Sequence, residues 1–215
     1  MADLSKQKEI PEPLRRSSPP GKIKLAEALK TLLEGKDFSS ITTSEIAKVA
    51  GVNEALIYRY FKDKRGLLHD VLAQAIEDFM SEIAGELRRI KGASKKLRRL
   101  LRRSIDFYIG HRVSAKILLL EVRNFPGYFE SPTYLLAKSY AHLVLEILRE
   151  GISAGEFRDD VSPVQIMQII LGGMEHLILP AIVFDRKVNA DSCADALCEI
   201  ILNGILTVRT QRRRG

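Results

Sequence analysis

Cysteine is scarce in this sequence: Cys193 and Cys198 are the only two among 215 residues, and they form no CxxC pair. Five positions apart in a stretch read as helix, they point to different faces and do not readily bridge. A disulfide framework is therefore excluded, and a reducing compartment, the cytoplasm, is expected. Long hydrophobic runs are also missing. The longest, Leu177 to Phe184, contains Pro180 and is too short to span a bilayer. The opening stretch MADLSKQKEIPEPLRRSSPPGK has no apolar h-region, so no signal peptide is expected. Alternation of β-branched residues at period two is absent over any useful length, which argues against sheet. The four histidines, His69, His111, His142 and His176, lack HExxH or HxxxH spacing and have no carboxylate cluster beside them, so neither metal nor cofactor is expected. No GxxxxGK loop, GxSxG elbow or GxGxxG turn occurs, and no nucleophile–base pair is visible. Nucleotide hydrolysis, serine hydrolysis and dinucleotide binding lose their support, and no catalytic residue is assigned.

What is present is an ordinary share of hydrophobic residues, 46%, and a net charge of +7. Such an excess invites a polyanion, either nucleic acid or an anionic membrane. Apolar residues recur at helical spacing nearly throughout, so the fold class is all-α. Residues 1–20 are polar and rich in Pro and Ser and read as a flexible arm. A first helix covers about 22–34, with Ile23, Ala26, Leu29 and Leu33 on one face. Thr42-x-x-Glu45 has capping-box spacing before a short helix that stops at Gly51. Asn53 caps the next, which ends near Phe61. Asp63 opens a long fourth helix reaching about Ile90. Further helices are expected over 94–110 and 113–124, then from Ser131-Pro132 to about 154. Another starts at Ser162-Pro163 with Gln165 in a capping box and ends near Pro180 or shortly after, and the last covers 190–209. The aromatic stretch 125–130 reads as a loop.

Three short helices before a long one, at the start of a basic chain, suggest a DNA-reading head. In Ile46-Ala47-x-x-Ala50-Gly51-Val52-x-x-x-x-Ile57, Ala47 is small enough for two helices to cross. Gly51 tolerates the positive φ of the turn, and Ile46, Ala50, Val52 and Ile57 close a small core. Asn53, Glu54, Ala55, Tyr58 and Arg59 are left facing outward, toward a major groove.

The stretch from Thr42 to Ala47, followed by Gly51 to Leu68 with its GVxxxxIYxYFKxK pattern, resembles the DNA-binding domain of the TetR family of repressors. The resemblance covers about residues 22–70 and implies a helix-turn-helix DNA-binding domain over 21–68 followed by an effector-binding and dimerisation domain over 69–215. Leu56 stands where the family has a small polar residue, and Glu54 where a base or polar one is common; both departures bear on the operator sequence. The resemblance implies that Thr43, Tyr58, Tyr60 and Lys64 contact phosphates, which suits hydroxyls and an ammonium as positioning groups. Arg59, with a fork that matches guanine O6 and N7, is the base-reading candidate. Thr42 and Lys62 complete the candidate DNA-binding set, although Thr42 also reads as a plain helix cap and Lys62 and Lys64 as a solvated helix start. Arg15 and Arg16 in the arm are candidates for minor-groove or backbone contact.

The same resemblance implies that the last two helices, 163–183 and 190–209, form a four-helix bundle with a second copy. Ala194, Leu197, Ile201, Ile205 and Val208 make an apolar stripe, and Gly172-Gly173 permits close approach. Packing of that stripe inside the subunit is the other reading. A homodimer would read two half-sites of a double-stranded operator. A small-molecule effector is expected among Phe107, Tyr108, His111, Leu119, Val122, Phe125, Tyr128, Tyr140, Met167 and Met174. Leu119-Leu120-Glu121-Val122-Arg123 and the segment from Glu150 to Asp160 look like the effector domains of TetR-family regulators of fatty-acid metabolism, which implies an acyl-coenzyme A or fatty-acid ligand. Nine cations between Arg88 and Arg103 have almost no acidic residues beside them in sequence. They read as a solvated face, a phosphate site or a membrane-surface patch; no membrane partner is expected. The function expected is a ligand-released repressor. The alternative is a helical enzyme acting on an apolar substrate in the C-terminal cavity.

Overall fold

The computed structural model describes residues 18–184 and 186–207. The arm with Arg15 and Arg16, and Val208 and Arg209 at the other end, lie outside the described residues. The chain divides into two compact units after Lys64. It is all-α: among the described residues the one extended pairing is an isolated bridge between Phe157 and Leu206.

The first unit holds α1 (Pro20–Leu33), a 3-10 turn (Phe38–Ser40), α2 (Thr43–Ala50) and α3 (Ala55–Phe61). Helix α1 packs against both α2 and α3. Its buried face is Leu25, Ala28, Leu29 and Leu33, and Ile23 is 51% exposed. The expected face was set wrongly at its start: at about 100° per residue, Ile23 lies opposite Leu25. Thr42 caps α2 by accepting from the Glu45 N–H at 3.1 Å. The Glu45 carboxylate pairs with Lys36 and also takes a main-chain hydrogen bond from Thr42, the return bond of the capping box. The hydrogen bond to Lys36 holds the Glu45 carboxyl below the usual carboxylate pKa range.

Gly51 closes α2 in the left-handed region, at φ +63. Its N–H bonds to Lys48 and that of Val52 to Ala47, the paired closure of a Schellman turn. The core of the unit is Leu25, Leu29, Phe38, Ile41, Ile46, Ile57 and Phe61. Ala50 and Val52, expected within it, are only half-buried.

The second unit contains α4 (Lys64–Leu87, whose first residue counts with the first unit), α5 (Ala93–Gly110), α6 (Arg112–Lys116), α7 (Pro132–Ser153), α8 (Pro163–Val183) and α9 (Ala190–Ile205). Helix α5 is central and packs on α7, α8 and α9. Its Leu97, Leu100, Leu101 and Ile105 are fully buried.

Several boundaries depart from expectation. The stretch read as one helix over 113–124 is short α6, then a π turn (Ile117–Glu121), then a 3-10 turn (Val122–Asn124). The wider turn narrows the arc spanned by consecutive side chains, so Ile117, Leu118 and Leu119 are all buried. Residues 128–130, inside the aromatic loop, form a further 3-10 turn. Helix α4 ends at Leu87, short of Ile90. Ser131 caps α7 through the Tyr134 N–H, whereas Ser162 makes no side-chain cap to α8. The end of α8 at Val183, three residues past Pro180, agrees with expectation. The last helix stops at Ile205, where the chain turns extended: Arg158 N–H donates to the Ile205 carbonyl at 2.8 Å.

The segment between α7 and α8 ties three helices together. Glu156 accepts from the N–H groups of Ala93 and Ser94 at 2.9 and 3.0 Å, satisfying the start of α5. Phe157 lies on Gly151 of α7 so closely that a Cβ there would sit 2.1 Å from its ring. Thr207, just past α9, donates its N–H to the Glu156 carbonyl.

Candidate DNA-reading face and effector core

Helix α3 buries Ile57 and Phe61, and this sets which residues it presents outward. Asn53, Ala55, Tyr58, Arg59 and Lys62 are exposed; Glu54 and Tyr60 are half-buried. Asn53 starts the helix differently from a simple cap. Its Oδ1 accepts the Ala55 N–H at 2.8 Å, while Glu54 occupies the capping position without a side-chain bond. Tyr58 is 55% exposed and Arg59 stands beside it, its guanidinium 5.8 Å from the Tyr60 ring. That stack holds the fork of Arg59 without consuming its N–H groups. Lys62 ends α3 at φ +74, the one non-glycine residue with positive φ among those described.

Two sequence positions make contacts that no local spacing announces. Leu56 lies against the start of α1, where a Cβ on Gly21 would be 3.0 Å from its Cδ1 and 3.7 Å from Tyr60. Its side chain packs there and is half-buried. Lys64 was expected on a phosphate, yet its ammonium donates to the carbonyls of Phe38 and Ile41 at 2.9 and 2.6 Å and lies 4.4 Å from the Phe38 ring. Thr42 acts as a cap, and Thr43, the first residue of α2, is half-buried.

The candidate effector residues fall into groups. Phe107 joins Phe79 at 4.8 Å, Tyr108 at 5.8 Å and His111 at 4.7 Å between ring centroids. Tyr140 stands 6.3 Å from Phe79, shares a 2.7 Å hydrogen bond with Ser104 and reaches the Met174 sulfur at 4.0 Å. Met167, Met174 and Leu119 belong to the same buried core. Phe125 sits apart, against His69 and under Arg65. Tyr128 packs on Phe129 and Tyr134, and Val122 is fully buried. His111 is exposed and its Nδ1 lies 3.0 Å from the Phe107 carbonyl oxygen.

Two polar features, one inside this core and one exposed beside it, were not expected from the sequence. Ser104 lies inside the apolar stripe of α5 and donates to the Leu100 carbonyl at 2.8 Å; its position four after Leu100 was the available signal. Arg123 pairs with Glu175 of α8, and no local spacing announces a partner 52 residues away. Burial, reinforced by the Glu175 charge, pushes the Tyr108 hydroxyl up to about 12. Burial likewise raises Tyr140, against the lowering effect of its Ser104 bond.

Four of the nine cations in the basic stretch find acidic partners once folded. Lys96 pairs with Glu150, Arg99 with Glu86, Arg102 with Asp191, and Arg103 with Glu82 and Glu86. The acids come from α4, α7 and α9, which sequence proximity cannot reveal.

A helix pair closed by a left-handed glycine, presenting tyrosine and arginine outward and joined to a helical unit with an aromatic core, defines a helix-turn-helix transcriptional regulator. Residues 25–71 match the family described as bacterial regulatory proteins of the tetR family. Residues 72–204 match the C-terminal region of YsiA-like proteins. The chain belongs to the TetR family. It is 23% identical over 186 residues to the fatty acid metabolism regulator protein of Bacillus subtilis, a match spanning 86% of this chain and 96% of that protein. The structure of FadR from Bacillus subtilis in complex with stearoyl-CoA aligns with a TM-score of 0.77 and 22% identity, covering 85% of this chain and 98% of that one. The fatty acid degradation regulator FadR from Bacillus halodurans aligns with a TM-score of 0.79 and 21% identity, covering 88% and 98%. At such identities the structural likeness establishes the fold.

Proposed function

We propose that this protein is a repressor that binds a palindromic operator as a homodimer and is released by an effector carrying a long apolar chain, an acyl-coenzyme A or a fatty acid. The observation that carries the reading is the outward face of α3. Tyr58 and Arg59 are exposed beside Asn53 and Ala55, above buried Ile57 and Phe61. In this reading Arg59 reads a base edge; Tyr58, Lys62 and Thr43 meet phosphates; and Tyr60 steadies Arg59. The reading unit spans about 21–68 and the effector unit the rest, acting in the cytoplasm. No catalytic step belongs to this reading.

The effector assignment is supported by the chemistry of the core and by relatives described as fatty-acid regulators. Phe79, Phe107, Tyr108, Tyr140 and Met174 form a largely apolar interior in which Ser104 and Tyr140 supply hydroxyls. An apolar chain would be held by such a lining and oriented by the few polar groups. Release is a shift of population. The effector lowers operator affinity only as far as it binds the non-operator conformation more tightly.

Helices α8 and α9 supply the proposed dimer face. The stripe expected to make it, Ala194, Leu197, Ile201 and Ile205, is buried within the chain, and Gly173 faces Leu197 internally. Ile169 and Ile200 are instead 62% and 72% exposed, and Gly172 opens onto empty space. By length and composition alone α8 could cross a membrane. Its Ile166, Ile170, Met174 and Ile178 are buried in the fold, and its exposed apolar residues suit a partner helix equally well.

Selection of random duplexes by the purified protein tests the DNA half of this reading. A palindromic site should emerge, and Arg59→Ala should weaken it by about 10- to 100-fold while relaxing one base position, since a bidentate base contact discriminates by ~1–3 kcal/mol. Stearoyl-CoA or stearate, added separately to the complex, should release the duplex. Retention of the duplex with both would sink the effector assignment and leave the DNA assignment standing.

A further inference from the structure

We infer that the Tyr108 hydroxyl recognises the effector's carbonyl, donating a hydrogen bond to the oxygen of a neutral acyl ester or thioester. This rests on the reading that an acyl effector occupies the aromatic core of the second unit, and it names which hydroxyl of that core can bind it.

Three hydroxyls, those of Ser104, Tyr108 and Tyr140, belong to this part of the core, and their protons are not equally free. Ser104 has one proton, and it goes to the Leu100 carbonyl at 2.8 Å. The 2.7 Å bond between Ser104 and Tyr140 then uses the Tyr140 proton, because Ser104 can only accept. The Met174 sulfur, 4.0 Å from the Tyr140 oxygen, has no proton to give. The pair is left with lone pairs alone, and lone pairs repel a carbonyl oxygen.

Tyr108 differs. Leu97, Leu101 and Ser104 are buried along one face of α5. Tyr108 continues that stripe one helical turn beyond Ser104 and packs against the same core, its ring 5.8 Å from Phe107. Among the described residues its hydroxyl makes no hydrogen bond. Tyr128 stands in a separate cluster with Phe129 and Tyr134, and its oxygen takes a bond from Arg123. Of the hydroxyls beside Phe107, Tyr108 therefore holds the one uncommitted proton. A carbonyl oxygen carried out of water needs a donor, since leaving it unpaired costs its full desolvation.

The surroundings also select the kind of carbonyl. Burial pushes the Tyr108 hydroxyl up to about 12, and the Glu175 charge adds to the rise more than Arg123 opposes it. The phenol thus keeps its proton at neutral pH and remains a donor. A carboxylate brought to this place would meet the same Glu175 charge, whereas an uncharged ester or thioester carbonyl would not.

Two ligands separate a carbonyl contact from plain apolar packing. Stearoyl-CoA carries the thioester carbonyl; S-octadecyl-CoA, a thioether, has the same chain length and head group without it. Calorimetric titration of the full chain with each gives a ratio of affinities. The unaltered protein should prefer the thioester by about 3- to 10-fold, the range of one net hydrogen bond. In Tyr108→Phe the ratio should fall to about one. In Tyr140→Phe it should stay at the value of the unaltered protein, whatever happens to both affinities together. Reading a ratio within each variant cancels any general loosening of the core.

Equal affinities in the unaltered protein would overturn the assignment without any variant. So would a ratio that Tyr108→Phe leaves in place, or one that collapses in Tyr140→Phe instead. If neither compound binds the unaltered protein, the acyl-effector reading itself fails and takes this role of Tyr108 with it, and that outcome is visible before the variants are compared.

Discussion

Single residues in this protein act mainly through the backbone groups they satisfy or the conformations they allow. Thr42 bonds the first turn of α2, so Thr42→Ala should cost about 1 kcal/mol of stability in urea unfolding. Gly51 stands at φ +63 with open space around it. Gly51→Ala should therefore cost about 1–2 kcal/mol through backbone strain alone, without any steric clash. Both residues were legible in sequence because a cap and a left-handed turn depend on neighbours within four positions. Tyr108 was legible as an aromatic on the inner face of α5, but its altered acidity was not. Its hydroxyl ionises at about 12 in the folded chain, against 10 for an ordinary tyrosine. Below pH 10 both folded and unfolded forms keep the proton, and the full contribution to stability is present. As pH rises through that window only the unfolded chain releases it, and stability falls. Chemical denaturation at stepped pH should show a shallower alkaline decline for Tyr108→Phe than for the unaltered protein; identical slopes would exclude Tyr108 as the source.

Among the elements, the connection between α7 and α8 carries more of the architecture than its length suggests. Gly151 is helical, where glycine is usually unfavourable relative to alanine by about 1 kcal/mol. Here the ring of Phe157 occupies the space a Cβ would need. Gly151→Ala should thus destabilise by about 1–3 kcal/mol or more, despite its better helix propensity, and Phe157→Ala by about 3–5 kcal/mol. If thermal unfolding shows Gly151→Ala to be neutral, the ring is not held as described. Glu156 satisfies two N–H groups at the start of α5, and this explains why Gly92 and Ala93 begin a helix without a local cap. The irregular stretch from α6 to Asn124 shows the opposite limit. Its apolar run reads as helix, but burying three consecutive side chains selected a wider turn.

At the scale of the whole molecule, charge and apolar surface are both redistributed by folding. Four of the basic residues near the start of α5 find carboxylates on α4, α7 and α9. Arg102 joins α5 to α9 this way, although its Nε is buried without a hydrogen-bond partner among the described residues. The apolar stripe of α9 turned inward, and Ile169 and Ile200 remain outward. The double variant Ile169→Arg with Ile200→Arg should be monomeric by light scattering and should lose specific operator binding, while keeping its helical circular dichroism. A dimer that survives both charges would move the interface elsewhere.

What the sequence alone determined is local: the helical period, the Thr42 cap, the Gly51 turn and the tyrosine and arginine of α3. Each of these rests on interactions within a turn or two of one helix. The tertiary structure decided which of two apolar faces on α1 and α9 went inward, where the acids for the basic stretch came from, and what Lys64 and Leu56 hold. Those outcomes depend on groups tens of residues away, brought together only when helices pack and buried polar atoms must find partners.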